Sequence, residues 1–297
     1  VGARFIGDLP KEALVLNLPP SLLYPLTAFI GLCLGSFLNV VIARLPVMLM
    51  RGWRAEAREA LELPDEHNEP FNLLTPRSMC PNCEAPIAWH DNIPVIGWLK
   101  RRGRCASCEA RISPQYPLVE LAGGALALAV VALFGATWHG LFVLGGCLSL
   151  LAMAVIDLRT QLLPDSLTLP LLWAGLLYQL LFQPLMLPSA VIGAMAGYLV
   201  LWSFYWAFKL ITGKEGMGYG DFKLLAALGA WMGWQYLPLL LILSAGVGAI
   251  LGILIQLAVP KLRGAPMPFG PYLALAGWIV LLAGEPLMAV YGRFFLI

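Results

Sequence analysis

Two groups of residues in this 297-residue chain have the types and spacing to do chemistry. The first is Cys80-Pro-Asn-Cys83 with Cys105-Ala-Ser-Cys108, two CxxC pairs with 21 residues, Glu84–Arg104, between them. Two such turns can present four thiolates at the corners of a tetrahedron, and zinc is the usual occupant. A thioredoxin-like redox pair would need a βαβ context, which the flanking sequence lacks. Four thiolates leave no open coordination position, so the expected metal is structural and folds a segment too small to hold a full core. The second group is Asp157, in LAMAVIDLRTQLLPD, and Asp221, in GMGYGDFKLLAALG. Each borders a strongly apolar stretch, where a carboxylate is costly and is a functional-site hypothesis by default. Two carboxylates a few ångströms apart hold one proton between them. The ionised one can deprotonate a water while the protonated one polarises a carbonyl, so hydrolysis needs no covalent intermediate. Taken singly, each aspartate could equally be structural, Asp157 as a helix-end charge near Arg159 and Asp221 as a charge favoured at a helix N-terminus. Together, with Gly216, Gly218 and Gly220 permitting close backbone approach, they favour catalysis.

The elements that must position these groups are membrane helices. The chain is 60% hydrophobic and 12% charged, with a mean hydropathy of +0.79. A soluble domain carries about twice that charge fraction. Eight apolar segments are expected: 22–43, 117–134, 141–156, 167–182, 189–211, 222–234, 237–259 and 271–290. The domain reading follows: an N-terminal segment (1–21), a first transmembrane helix (22–43), a polar zinc-binding insertion (44–116) and a membrane helical bundle with the two aspartates (117–297). The fold class is an all-α polytopic membrane protein with about eight transmembrane helices and a small cytoplasmic insertion. Val1–Pro20 has no cleavable-signal pattern, so the first apolar stretch is expected to direct its own insertion.

Positive charge sets the orientation. The insertion carries a dense set of cations from Arg44 to Arg111, so it is expected in the cytoplasm, where disulfides are disfavoured. Eight crossings then place Arg159, Lys209, Lys214, Lys223, Lys261 and Arg263 on the same side. The intervening loops ATWHG, QPLMLP and WQY carry no lysine or arginine. Only Arg4, Lys11 and Arg293 lie outside the pattern, and both termini face the opposite side. Asp157 therefore ends the third segment, and Asp221 begins the sixth, at one membrane face. The sixth segment is short: 13 residues span about 20 Å of a hydrocarbon core of about 30 Å. It either continues past Trp234 or begins part-way into the membrane, where a glycine-rich backbone needs protein or water around it.

Other features carry less. Gly31-Leu-Cys-Leu-Gly35 and Gly193-Ala-Met-Ala-Gly197 read as helix-packing patterns. Cys33 and Cys147 read as small buried hydrophobes. Asp165, behind Pro164, reads as a cap of the fourth helix. Lys100, Arg101, Arg102 and Arg104 read as an anchor on anionic membrane lipid, and no fold for nucleic-acid binding is recognisable, so no nucleic-acid partner is expected. His67, His90 and His139 have no partner pattern.

With these residues in view, the chain resembles the type IV prepilin peptidases, the bifunctional leader peptidase and N-methyltransferase enzymes of type IV pilus and type II secretion systems. The resemblance runs through Gly35-Ser-Phe-Leu-Asn-Val40, Arg44-Leu-Pro46, the double CxxC around Trp89–Pro94, Arg102-Gly-Arg104 and Ile112–Glu120. It continues through Asp157 and Gly218-Tyr-Gly-Asp221, which match the family's two catalytic aspartates and its GxGD signature. Pro268-Phe-Gly-Pro271 resembles a proline-rich motif near the active site, and its prolines could help align an extended substrate. The resemblance implies a pilin-like precursor as substrate and partner, with a basic leader cleaved after a glycine at the cytoplasmic face of the bacterial inner membrane. It also implies methylation of the new N-terminus from S-adenosylmethionine. No Rossmann-type glycine motif for that donor is present. Asn39, Arg104 and Glu120 are candidates for methyl transfer by position and polarity, with Gly218, Gly220, Pro268, Gly270 and Pro271 supporting the aspartates. A proton-coupled transporter using the same acids, and a non-catalytic scaffold recruiting a partner through its zinc module, are the competing readings.

Overall fold

The computed structural model describes residues 18–64, 70–258 and 267–295. The expectations for most of the N-terminal segment, for His67, and for Lys261 and Arg263 fall outside these residues. The described chain is helical, with two isolated β-bridges, and divides into two compact units, Leu18–Ala132 and Leu133 onward. Seven of its helices are long and apolar enough to cross a membrane.

The first unit is built on α1 (Pro20–Ala60) and α3 (Gln115–Phe134), with the short α2 (Ile96–Lys100) in the polar segment between them. At 1.5 Å per residue, the 41-residue α1 is about 60 Å long, twice the hydrocarbon thickness. It runs well past the end of the apolar stretch at Ala43. RGWRAEAREA, although polar, is rich in strong helix formers and simply extends it. The two long helices meet at the small residues expected to pack. A Cβ on Gly31 would lie 2.7 Å from the Ala127 Cβ, and one on Gly35 would lie 2.7 Å from the Glu120 Cα. Arg44, near the middle of α1, donates to the carbonyls of Asn72, Leu73 and Pro76 and so ties the following loop to the helix.

The second unit contains α4 (Trp138–Thr160), α5 (Asp165–Phe182), α6 (Leu187–Thr212), α7 (Tyr219–Met232), α8 (Leu237–Ala258) and α9 (Gly270–Phe295). At its centre is α7. It stops at Gly233, whose φ of +87° only glycine adopts readily, so the sixth segment does not continue past Trp234. Every residue from Leu224 to Met232 is buried, as a helix apolar all round requires. It packs against α5, α6 and α9. The second small-residue pattern lets α6 approach: Gly193 lies against the Gly229 carbonyl, and a Cβ on Gly197 would come 2.7 Å from the Leu225 carbonyl oxygen. Trp231 Nε1 donates to the Leu171 carbonyl at 2.8 Å, and Gln179 Nε2 donates to the Trp231 carbonyl at 2.5 Å, which fixes α7 lengthwise on α5.

Candidate active site and cysteine cluster

Helix α4 ends one turn beyond Asp157. Gln161 adopts a left-handed φ of +53°, and its N–H closes on the Asp157 carbonyl at 2.9 Å. Helix α7 begins at Tyr219, with Gly218 extended before it, so Asp221 sits in the first turn. Both aspartates are buried, at 5% and 7% exposure. They are brought into one cluster by residues that join their elements. The Gly270 N–H, at the start of α9, donates to Asp157 Oδ2 at 3.0 Å. A Cβ on Gly270 would lie 2.6 Å from that oxygen and 3.2 Å from Leu163 Cδ1, and one on Gly220 would lie 2.6 Å from Leu163 Cβ. Leu163 therefore lies against both glycines. Asp221 Oδ1 is buried without a hydrogen-bond partner among the described residues. Gly218 borders Asp221 Oδ2, at 3.8 Å from an added Cβ.

The glycine expectation has a concrete basis at Gly220 and Gly270, where any side chain would collide. Pro268 and Pro271 flank Gly270 half-buried, and the Phe269 carbonyl accepts from Tyr272 and Leu273 as α9 begins. Sequence reasoning missed Leu163, which has no chemical signal of its own. It also assigned Asp165 the wrong local role. Pro164 occupies the cap position, Asp165 is the first helical residue, and no side-chain cap bond forms. Asp165 instead accepts from Lys223 Nζ at 2.6 and 2.7 Å, pinning the start of α7 to the start of α5 across 58 positions.

In the first unit the four cysteine sulfurs all lie within 4.8 Å of one another. Cys80 and Cys108 approach to 3.8 Å, and Cys83 and Cys105 to 3.9 Å. Tetrahedral bonds of about 2.3 Å imply sulfur separations of about 3.8 Å, so the donor set and spacing fit zinc. The two knuckles repeat each other. Asn82 and Ser107 N–H groups point at the sulfurs of Cys80 and Cys105, and Glu84 and Glu109 both adopt a φ of +56° just after the second cysteine. Backbone N–H groups of Cys108 and Ser107 pull the Cys105 thiol down to about 6. Those of Ala110, with the Asn82 amide, pull Cys108 down as well. Cys83 is pushed up to about 12: the Ala85 N–H pulls it down, and the neighbouring Cys108, desolvation within the cluster, and the Cys80 and Cys105 thiols outweigh that pull. A dication held there would allow all four to ionise together.

Of the three methyl-transfer candidates, two share a site. Asn39 and Glu120 are buried where α1 crosses α3. Asn39 Nδ2 donates to the Tyr116 carbonyl at 2.9 Å, leaving its buried Oδ1 without a partner. Glu120 Oε2 accepts from the Val95 N–H at 2.7 Å, and Val95 holds a φ of +61°, which a β-branched residue rarely adopts. Arg104 is exposed on the cysteine module, bridged through its backbone to Arg111. The module is closed by Asp91, which accepts from Arg101 at 2.5 and 2.9 Å and from Lys100 at 3.0 Å. These hydrogen bonds hold its carboxyl down at about 2.

Comparison with known proteins gives this geometry its context. Residues 29–134 match the bacterial peptidase A24 N-terminal domain, and residues 142–253 match the type IV leader peptidase family. A prepilin leader peptidase/N-methyltransferase of Aeromonas hydrophila is 55% identical over 274 residues, 92% of this chain and 94% of the relative. The chain belongs to the type IV leader peptidase family. Proteins of the same name from Stutzerimonas stutzeri and Pseudomonas aeruginosa are 53% and 52% identical, covering 89% and 90% of this chain and 92% and 93% of the relatives. No solved structure matches. Within this type IV leader peptidase chain, the N-terminal match contains Asn39, the four cysteines, Arg104 and Glu120. The second match contains Asp157, Gly218, Gly220 and Asp221, while Pro268–Pro271 lies beyond it.

Proposed function

We propose that this chain removes the leader from pilin-like precursors and then N-methylates the new terminus, with Asp157 and Asp221 as the hydrolytic pair. The observation that carries the reading is the burial of both carboxylates in one cluster, under Gly270 and Leu163, in a chain of this family. The two share one proton. The Gly270 N–H fixes one oxygen of Asp157, which leaves the other oxygens of the pair to hold a water and to polarise the scissile carbonyl. The water adds to the carbonyl carbon, its proton passes to the ionised carboxylate, and the protonated partner supplies a proton to the leaving amine. Gly218, where an added Cβ would have Asp221 Oδ2 at 3.8 Å and the Gly220 nitrogen at 4.0 Å as its neighbours, leaves room beside Asp221 for an extended peptide backbone to reach the pair.

Cys80, Cys83, Cys105 and Cys108 would hold zinc. Bound by these four thiolates, zinc would cross-link the two knuckles and so support the fold of the segment. S-adenosylmethionine supplies the methyl group. Methyl transfer needs the α-amine neutral, and Glu120, buried like Asn39 where α1 crosses α3, is the group placed to take that proton. The arrangement of charge supports a multi-pass inner-membrane protein with its large polar segment, Arg159, Lys209, Lys214 and Lys223 on the cytoplasmic side, and with both termini opposite. Lipid around the helices and a pilin-like precursor are the partners of this reading.

The test is to incubate the purified full chain with a pilin-type precursor and S-adenosylmethionine and to weigh the product, since mass reports cleavage and methylation together. Asp157→Asn and Asp221→Asn are each expected to abolish cleavage while the protein still inserts and elutes as wild type. Normal cleavage by either variant would remove the pair from the reaction.

A further inference from the structure

A second polar cluster occupies the far end of the unit that holds the aspartates. His139 opens α4 and Asp157 closes it, eighteen residues later, about 27 Å along the helix. Around His139 lies a cavity of ≈ 40 Å³, walled by Tyr178, Trp231, Tyr236 and Glu285 among others. One water needs about 10–15 Å³ on this measure, so the cavity admits a few waters or one small polar group, and no peptide. The backbone of α9 is bent to serve it. Ala283 departs from helical geometry (φ −141°, ψ 29°), and Pro286 follows, so Glu285 falls in a broken stretch of an apolar helix. Gly284 lets the bend approach Tyr236, with an added Cβ at 3.2 Å from its ring.

The chemistry of the lining is one-sided. Glu285 Oε1 is buried without a hydrogen-bond partner among the described residues, a costly state for a carboxylate. Among the described residues, no lysine or arginine lines the cavity. His139 Nε2 and the Tyr178 hydroxyl are already bonded to each other, so that pair is occupied. Tyr178 stacks on Trp231 at 5.1 Å, so aromatic rings stand beside the carboxylate in the lining. A carboxylate and aromatic walls without a cation describe a site for an ammonium group. The unpartnered oxygen can accept a hydrogen bond from a primary ammonium, which carries N–H groups, and not from a quaternary one, which has none. The site lies where helices end: Trp138 and Trp234, at 52% and 48% exposure, mark the interfacial level at which lipid headgroups lie.

We propose that the cavity bounded by His139, Tyr178, Trp231, Tyr236 and Glu285 binds a primary ammonium group, supplied by an ethanolamine headgroup or by free ethanolamine. The full chain is reconstituted in nanodiscs of phosphatidylglycerol mixed with phosphatidylethanolamine or with phosphatidylcholine, then extracted, and the retained lipids are read by native mass spectrometry. Wild type is expected to retain phosphatidylethanolamine about ten-fold over the other two, the loss of one charge-assisted hydrogen bond being worth at least that factor. Glu285→Gln is expected to erase the preference while leader cleavage continues. In nanodiscs of phosphatidylglycerol alone, a thermal shift of wild type by free ethanolamine and not by choline would assign the site to the free amine. The proposal fails if wild type shows neither the lipid preference nor the ethanolamine shift, or if Glu285→Gln keeps whichever is seen. The wild-type comparison of ethanolamine with choline lipids stands even if the variant does not fold.

Discussion

Replacing Gly270 with alanine should separate the chemistry of the aspartates from the stability of the bundle. The added methyl carbon would lie 2.6 Å from Asp157 Oδ2, and ordinary contact begins at 3.4 Å, so the carboxylate must retreat by about 0.8 Å. Leu163 Cδ1, at 3.2 Å, is the end of a flexible side chain and can yield. The φ of Gly270 lies outside the left-handed region, so backbone strain plays no part. The retreat stretches the 3.0 Å bond from the Gly270 N–H, and such bonds to charged groups contribute about 1.5–3 kcal/mol. A misplacement of about 1 Å in a catalytic group costs about 10²-fold in rate. Cleavage of a pilin-type precursor should therefore fall about 10²-fold in single-turnover assays. Methylation of a pre-cleaved peptide should persist, because Asn39 and Glu120 belong to the other unit. Gly246→Ala is the matched control: it has open space at the Cβ position, lies within α8, and should be neutral or slightly stabilising. If Gly270→Ala cleaves at the wild-type rate, Asp157 does not need the position in which Gly270 holds it, and the reasoning is wrong.

Three further outcomes are expected. The wild-type chain should carry about one zinc per molecule in reducing buffer, and Cys83→Ser should lose both the metal and the amide protection of residues 79–111, as read by metal analysis and hydrogen exchange. Gly193→Ala should lower the detergent melting temperature, with overpacking against the Gly229 carbonyl costing about 1–3 kcal/mol, because a backbone atom there cannot step aside. Asp91→Asn should speed hydrogen exchange in α2 at neutral pH. Its carboxyl sits at about 2 when folded against an ordinary 3.8, so the clamp is whole above about 3.8 and is lost as pH falls through 2. The gap between variant and wild type should close over that window.

Spacing and pattern made much of this protein legible. The eight apolar segments correspond to α1 and α3–α9 because each is long or apolar enough to declare itself. The cysteine cluster was readable because two CxxC turns are local motifs whose geometry the backbone supplies unaided. The glycine pairs at Gly31–Gly35 and Gly193–Gly197 announced close helix packing, but not their partners on α3 and α7. The extension of α1 to Ala60 was missed because polarity, not helix propensity, marks a membrane boundary in sequence.

The sequence by itself determined the membrane-helical class, the two aspartates and the four thiols, since burying charge or clustering cysteine leaves a mark on composition wherever it occurs. Tertiary structure alone decided what those residues meet. Leu163 against Gly220 and Gly270, the Gly270 N–H on Asp157 and the Lys223–Asp165 tie all join positions distant in the chain through contacts of ordinary residues. The same holds at the opposite end, where His139 looked incidental until α5 brought Tyr178 beside it and the break in α9 exposed Glu285 to the cavity. Such contacts have no periodicity or composition to read, because they depend on where separate helices cross.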